Sequence, residues 1–289
     1  MTKTWPRSSR GSSRAGADFR HARLGIRSCR ARLSHPVPLL FALWLACASP
    51  PPPAYGQWIW TDADARVFEA SRAAIPGLVP GVLVAEILVV DGAPKLTLRQ
   101  RPSIVDGPRA VVVRIDDGLH ALWDRDDDDA LAAALDAELA RLMALLRDTG
   151  VSPIEVQLDY DVPVRRLERW AGVLGHLPAL RDRPWVTSLV AHLRDPRYGP
   201  LLRDRVRGHL LQVFDTGETP EAADEVARLA AEAGLPWRLG IGAFERGHDG
   251  EASTHHRGWF AKIGAACRPP GCEGVWVFPA GRPWVQELR

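Results

Sequence analysis

Short apolar runs alternate along most of the chain with stretches of helical period. Gln57–Trp60, Gly81–Val90, Ala110–Asp116, Ile154–Pro163, Trp185–Leu193, His209–Asp215, Trp237–Phe244 and Gly274–Pro279 read as eight β-strands. Helical period occupies Ala63–Ala74, with Asp62 as the expected cap, then Asp128–Asp148, Val164–Leu174 and Glu221–Ala233. In the second of these, Leu131, Leu135, Leu139, Leu142, Leu145 and Leu146 supply an apolar stripe. Pro220 sits at a first turn and Gly234 at a stop. Leu201–Val206 reads as helical or irregular, and Asp91–Pro108, rich in Pro and Gly, as a loop or hairpin in place of a helix. Strands alternating with helices predict a parallel α/β protein, and eight in series predict a somewhat short (β/α)8 TIM-like barrel over residues 57–289. An open doubly wound sheet is the rival, but no Gly-rich phosphate loop follows the first strand.

The first part of the chain has a different pattern. Residues 1–34 carry nine basic residues and one acid, Asp18. Of the 37 basic and 35 acidic residues in the whole chain, 28 and 34 therefore remain for the rest, a net charge of −6. An acidic body argues against nucleic acid as partner. The run Val37–Cys47 has the length of a signal-peptide apolar segment and is too short to span a bilayer as a helix. Leu43, Leu45 and Ala46 before Cys47 resemble a bacterial lipobox, in which the Cys is acylated; Trp44 is bulkier than that pattern expects. Residues 1–47 thus read as a basic leader with a signal or lipoprotein segment, and 48–56 as a Pro-rich tether. The expected location is exported, as a periplasmic or outer-envelope lipoprotein touching membrane only through its leader or lipid. Of the four Cys, Cys29 leaves with the leader and Cys47 carries lipid. Cys267 and Cys272 remain as a short disulfide, since a lone C-x4-C lacks the ligands of structural zinc.

Polar residues then single out a face. On Ile154–Pro163, Gln157, Asp159 and Asp161 fall on one side of the strand and Val156, Leu158 and Tyr160 on the other. The two Asp Cβ atoms are about 7 Å apart at strand rise, close enough to share a substrate or a proton. Other strands contribute Glu86, Arg114, Asp116 and Gln212, with Trp60, Trp276 and Phe278 near strand ends as candidates for sugar stacking. In a barrel these interior polar groups must pair with one another, and sites lie at the C-terminal strand ends. A structural reading competes: Arg114 paired with Asp116 or Glu86, and Gln157 satisfying Gln212.

The stretch I-E-V-Q-L-D-Y-D-V-P resembles the strand-four signature of family 18 chitinase-type glycoside hydrolases, D-G-I-D-L-D-W-E-Y-P. The resemblance implies Asp161 as proton donor and Asp159 as the acid that orients an acetamido group. Asp161 is one methylene shorter than the Glu of that pattern, and Gln157 replaces the Asp two residues before the orienting one. Gly274–Phe278 is similar to the chitinase G-x-M-x-W pattern and would put Phe278 under a sugar. From about Trp58 to Phe278 the chain also resembles an uncharacterised bacterial family, domain of unknown function 3142. Val112–Asp116, Gln157–Pro163 with Leu167, Leu211–Asp215 and Gly240–Gly247 carry that likeness. It implies a barrel of glycosidase type and no established reaction.

The expectation is therefore an exported glycoside-hydrolase-like barrel acting on or binding a polysaccharide, with Asp161 as acid, Asp159 orienting, and no cofactor. Gln157, Glu86, Arg114, Asp116, Gln212, Trp60, Trp276 and Phe278 would bind substrate. The alternative is a non-catalytic carbohydrate-binding or envelope scaffold lipoprotein on a degenerate barrel. A metal-dependent site on Glu86, Asp116 and Asp159 is a third reading, without the His usual for zinc. Asp126–Asp129 reads as a helix cap, and His255 and His256 as an exposed pair. His120 and His192, near strand ends, are open to either a structural or a site role.

Overall fold

The structure, a computed structural model, describes residues 54–288 except 181, 245–246, 249–250, 253–254 and 268–270. The leader, Cys47 and most of the expected tether lie outside the described residues. The strands are β1 (Ala54–Ile59), β2 (Val79–Val90), β3 (Ala93–Leu98), β4 (Ala110–Ile115), β5 (Glu155–Asp159), β6 (Trp185–Leu189), β7 (Gly208–Gln212) and β8 (Trp237–Gly242). They continue with the two-residue strands β9 (Gly247–His248) and β10 (Glu251–Ala252), which pair only with each other, and β11 (Cys272–Phe278). Setting aside β3, β9 and β10, eight parallel strands form a closed barrel, because β1 pairs in parallel with both β2 and β11. The (β/α)8 expectation is met.

The missing helix after β2 is replaced by β3, which folds back antiparallel on β2, and a 3-10 turn at Pro102–Ile104. Since β4 holds one edge of β2 along Gly81–Ile87, β1 and β3 share the other, against Val79–Val82 and Ala85–Val90 respectively. A register shift between Leu83 and Ala85 marks where β2 changes partner and brings Glu86 opposite Arg114. The outer edge of β3 is blunted by side chains. Glu138 accepts from the Leu96 amide at 3.0 Å, and Arg141 donates to the Leu96 carbonyl at 2.8 Å.

The helices are α1 (Asp62–Arg72), α2 (Asp128–Asp148), α3 (Leu167–Leu174), α4 (Val190–Leu193), α5 (Tyr198–Leu202), α6 (Ala223–Ala233), α7 (His255–Gly258) and α8 (Ile263–Ala266). Helix α1 is capped by Thr61 and not by Asp62. The Thr61 hydroxyl accepts from the Asp64 amide while the Asp64 carboxylate accepts from the Thr61 amide, a capping box that outcompetes a lone Asp. Helix α2 keeps its predicted bounds, with Asp127 of the acidic run as cap. The fifth predicted strand stops at Leu189, and its last residues form α4 instead. There His192 accepts from the Leu189 amide and reaches the Val162 carbonyl. Leu189, Val190 and Ala191 continue the apolar character of the strand and hide that change of period. β7 likewise stops at Gln212, three residues early, and Asp215 adopts a left-handed φ of 55°. Gly234 ends α6 with φ 66°, as its position predicts.

Two apolar cores result. Outward residues such as Val113, Leu158, Tyr160 and Leu211 pack on the helices. Inside the barrel, Trp58, Trp185 and Trp276 join Leu83, Val112 and Leu210. Each interior Trp fits because a neighbouring strand places Gly opposite its ring. A Cβ on Gly56 would lie 2.4 Å from the Trp276 ring, and one on Gly208 2.5 Å from Trp185. Cys267 and Cys272 are disulfide-bonded, with Cα atoms 5.4 Å apart, and tie the end of α8 to the start of β11. Among the described residues no helix is long and apolar enough to cross a membrane.

Candidate active site

β5 organises the polar interior from floor to mouth. At the floor, Glu155 takes both Nη atoms of Arg238 from β8, whose guanidinium lies 3.7 Å from the centroid of the Trp185 ring. One step up, Gln157 donates to Glu155 at 2.8 Å and accepts from the Trp58 indole at 2.9 Å. The expected mutual pairing of Gln157 and Gln212 is not what forms. Gln157 is buried and braces the floor; it does not line the cavity above.

Above it, Asp159 is buried, its Oδ2 3.1 Å from Arg114 Nη1 and its Oδ1 3.4 Å from Gln212 Nε2. Arg114 thus pairs across the β4–β5 ladder with its register partner Asp159, and not with Asp116 or Glu86. Burial pushes the Asp159 carboxyl above its ordinary range, while Arg114 and hydrogen bonds from Thr187 and Gln212 pull it back. Burial also works against the charge of Arg114, but Asp159, Asp161 and Asp117 together hold it firmly protonated. Its guanidinium rests 5.4 Å from the Trp60 ring centroid.

Asp161 follows β5 at the strand tip. Its carboxyl is pushed up to about 6, first by burial and then by the charge of Asp159; Asp117 adds to the rise, and Arg114 and His120 oppose it. Its Oδ1 is buried with no hydrogen-bond partner, and so is Nε1 of Trp60. Both residues line a cavity of about 470 Å³ at the C-terminal mouth of the barrel. Arg114, Asp159, Gln212, Phe278, Asp215 and Thr216 complete most of its wall, over Trp58, Val112 and Phe214. Trp60 and Phe278 face each other with centroids 5.0 Å apart. A larger groove of about 760 Å³ lies outside the barrel, lined by parts of α2 and the chain after α3.

Six of the ten residues proposed from the sequence for catalysis or substrate binding therefore meet at one cavity: Trp60, Arg114, Asp159, Asp161, Gln212 and Phe278. The other four lie outside its wall. Gln157 and Trp276 are floor packing. Glu86 is bound by Arg99 of the β3 return, and Asp116 accepts from the Gly118 amide to cap a 3-10 turn. Glu86, Asp116 and Asp159 thus have separate partners and do not converge on one ion. Asp215, noted in the sequence as a strand end and within the Leu211–Asp215 likeness but not as a site residue, enters the wall where its left-handed backbone turns the chain. His256, expected as half of an exposed pair, is buried, with Nε2 3.4 Å from Asp215. A second polar cluster, Ser188 with His209 at 2.7 Å, is buried away from the cavity. Burial holds His209 neutral, pushed down to about 3.

No family model matches the chain, and no curated protein matches it significantly. Among solved structures it is similar to a fungal endo-beta-N-acetylglucosaminidase from glycosyl hydrolase family 18, at 12% identity and a TM-score of 0.51. That match covers 82% of this chain and 96% of the other. A candidate alpha-L-fucosidase from Bacteroides thetaiotaomicron VPI-5482 superposes at a TM-score of 0.48 and 9% identity, covering 79% and 85%. The family 18 enzyme shares the fold. At this identity the likeness reaches no further.

Proposed function

We propose that the chain is a glycoside hydrolase in which Asp161 is the general acid and Asp159 the carboxylate that orients the substrate. The observation that carries this reading is Asp161 itself: a carboxyl with an unpartnered oxygen at a cavity wall, raised to about 6, two residues beyond an acid paired with Arg114. Glycoside cleavage needs one acid still protonated near neutrality beside a charge that remains. Asp161 would protonate the leaving oxygen. Asp159, held by Arg114, Gln212 and Thr187, would present its charge to the polar substituent next to the reacting carbon. Trp60 and Phe278 offer aromatic faces, and the Trp60 N–H offers a donor to a sugar hydroxyl.

The strand-four resemblance and the shared fold of the family 18 enzyme both favour an amino-sugar-containing polysaccharide as substrate. A Cys267–Cys272 disulfide fits an oxidising compartment. With the leader and Cys47 it supports an exported, lipid-anchored envelope protein with a carbohydrate partner and no nucleic acid.

The test is a panel of fluorogenic aryl glycosides, N-acetyl-β-glucosaminides included, together with sugar release from cell-wall material. Wild type should turn over at least one, and Asp161→Asn should lower kcat by about a hundredfold or more. Glycan binding without any turnover would replace this reading with the non-catalytic carbohydrate-binding scaffold. That alternative draws on the shortening of the donor from Glu to Asp.

A further inference from the structure

The turn after β4 puts a half-buried histidine close to the proposed acid. His120 lies in the 3-10 turn Asp117–Ala121. Its ring packs on Tyr160, with centroids 5.7 Å apart and the planes tilted by 49°. The Tyr160 hydroxyl is itself fixed by the Trp123 indole at 2.8 Å, so the surface under His120 is rigid. Tyr160 immediately precedes Asp161, and His120 is among the groups whose charge acts on the Asp161 carboxyl.

Nε2 of His120 is buried and has no hydrogen-bond partner, as is also true of Asp161 Oδ1. An unpaired buried polar atom is costly and uncommon in a folded protein. Here two such atoms belong to touching segments, and their chemistry is complementary. A ring nitrogen donates or accepts according to tautomer, and a carboxyl accepts when ionised and donates when protonated. Whichever group holds the proton, the other can receive it.

Building on the glycosidase reading above, we propose that His120 is a positioning residue for Asp161, closing an Nε2–Oδ1 hydrogen bond as Asp161 gives up its proton. In that step the Asp161 proton passes to the leaving glycosidic oxygen. The bond from that oxygen to the sugar carbon breaks, with its electron pair going to the oxygen. The new carboxylate is met by the His120 N–H, which stays on the ring. Water then adds to the sugar carbon and its proton returns to Asp161. The other groups facing the pair are Asp159 from β5, Arg114 from β4, Asp117 from the same turn as His120, and Arg166 beside Tyr160. Arg114 and His120 favour the ionised acid, and Asp159 and Asp117 oppose it.

The test is a carbon-13 NMR titration of the Asp161 carboxyl, assigned with Asp161→Asn, in wild type, His120→Ala and His120→Gln. Loss of the imidazole should raise the Asp161 midpoint by roughly half a unit in His120→Ala. His120→Gln, which keeps an N–H donor, should fall between. On whichever glycoside wild type cleaves, kcat should fall about tenfold in His120→Ala. KM should hold, because His120 is not in the cavity wall, and the alkaline limb of the kcat profile should move with the NMR midpoint. An unchanged Asp161 midpoint in both folded variants overturns the proposal. So does a loss of melting temperature and turnover with no change in pH profile, which would make His120 only a support for Tyr160. The NMR arm needs no substrate, so failure of the glycosidase reading stays distinguishable from failure of this one.

Discussion

Arg114 and Asp159 meet across neighbouring strands, Nη1 to Oδ2 at 3.1 Å, because the β4–β5 register makes them partners. The contact divides the two acids of β5. Asp159 gains a cation and two further hydrogen bonds, whereas Asp161, one strand period on, gains a second negative charge as neighbour. Like charges in a partly buried site push proton affinities apart, so the first proton to bind goes to Asp161.

Arg114→Leu should therefore do more than weaken substrate binding. It leaves a fully buried carboxylate without its cation, at a cost of about 2–3 kcal/mol, somewhat below the usual range for a broken buried pair since Arg114 is part-exposed. The folded-state proton affinity of Asp159, already above its unfolded value, should rise further. The penalty is then absent below the ordinary carboxylate range, grows as pH climbs toward the raised value and is complete above it. Urea unfolding at pH 5 and pH 8 checks this: the loss should be larger at pH 8, and an equal loss at both would reject the account.

Asp161→Asn should separate stability from activity. The wild-type carboxyl is raised to about 6 when folded, so its ionisation opposes folding. The cost is nil below about pH 4, builds between about 4 and 6, and is complete above that. Replacing it with a neutral amide should raise the melting temperature at pH 7.5 and leave it nearly unchanged at pH 4. Turnover by wild type should fall as pH rises through about 6, because the acid must carry its proton. A pH-independent change in melting temperature would show that Asp161 is not raised.

The barrel was legible because each strand is an apolar run and each long helix has its own period. The same signal failed where local hydrogen bonds decide. Val190–Leu193 is as apolar as the strand before it, yet His192 closes it into a helix. The candidate site was legible as polar residues on strand faces, but depth in the barrel was not. Gln157 and Asp159 share a face of β5, and only the floor pair Glu155–Arg238 shows that Gln157 is committed below. Glu86 was drawn to Arg99 by a hairpin the sequence left undecided between loop and strand. Asp215 was legible as a strand end and as part of the Leu211–Asp215 likeness, but its place in the wall is set by a backbone angle.

Gly56→Ala tests the packing that supports this floor. The added methyl would stand 2.4 Å from the Trp276 ring, and Trp276 is itself buried against Trp58. Neither can yield freely, and a loss of about 1–3 kcal/mol is expected by chemical denaturation. Trp276→Leu in the Gly56→Ala background should recover part of it, whereas additive losses would place the strain elsewhere.

Gln157→Asp restores the acid that the chitinase-like pattern has at this position, and so opposes the family expectation to the local geometry. If Gln157 were a degraded site residue, restoring the acid would raise turnover. The structure requires the opposite. The amide donates to Glu155 and accepts from Trp58, both inside the barrel. A carboxylate loses the donor and sets a second negative charge against Glu155, whose only balancing cation is Arg238 among the contacts described. The expected outcome is a loss of about 3 kcal/mol or more at pH 7.5, eased at low pH where the new acid is neutral, and no gain in turnover. Gln157→Asp as stable as wild type, with higher activity, would move this residue from the floor into the site.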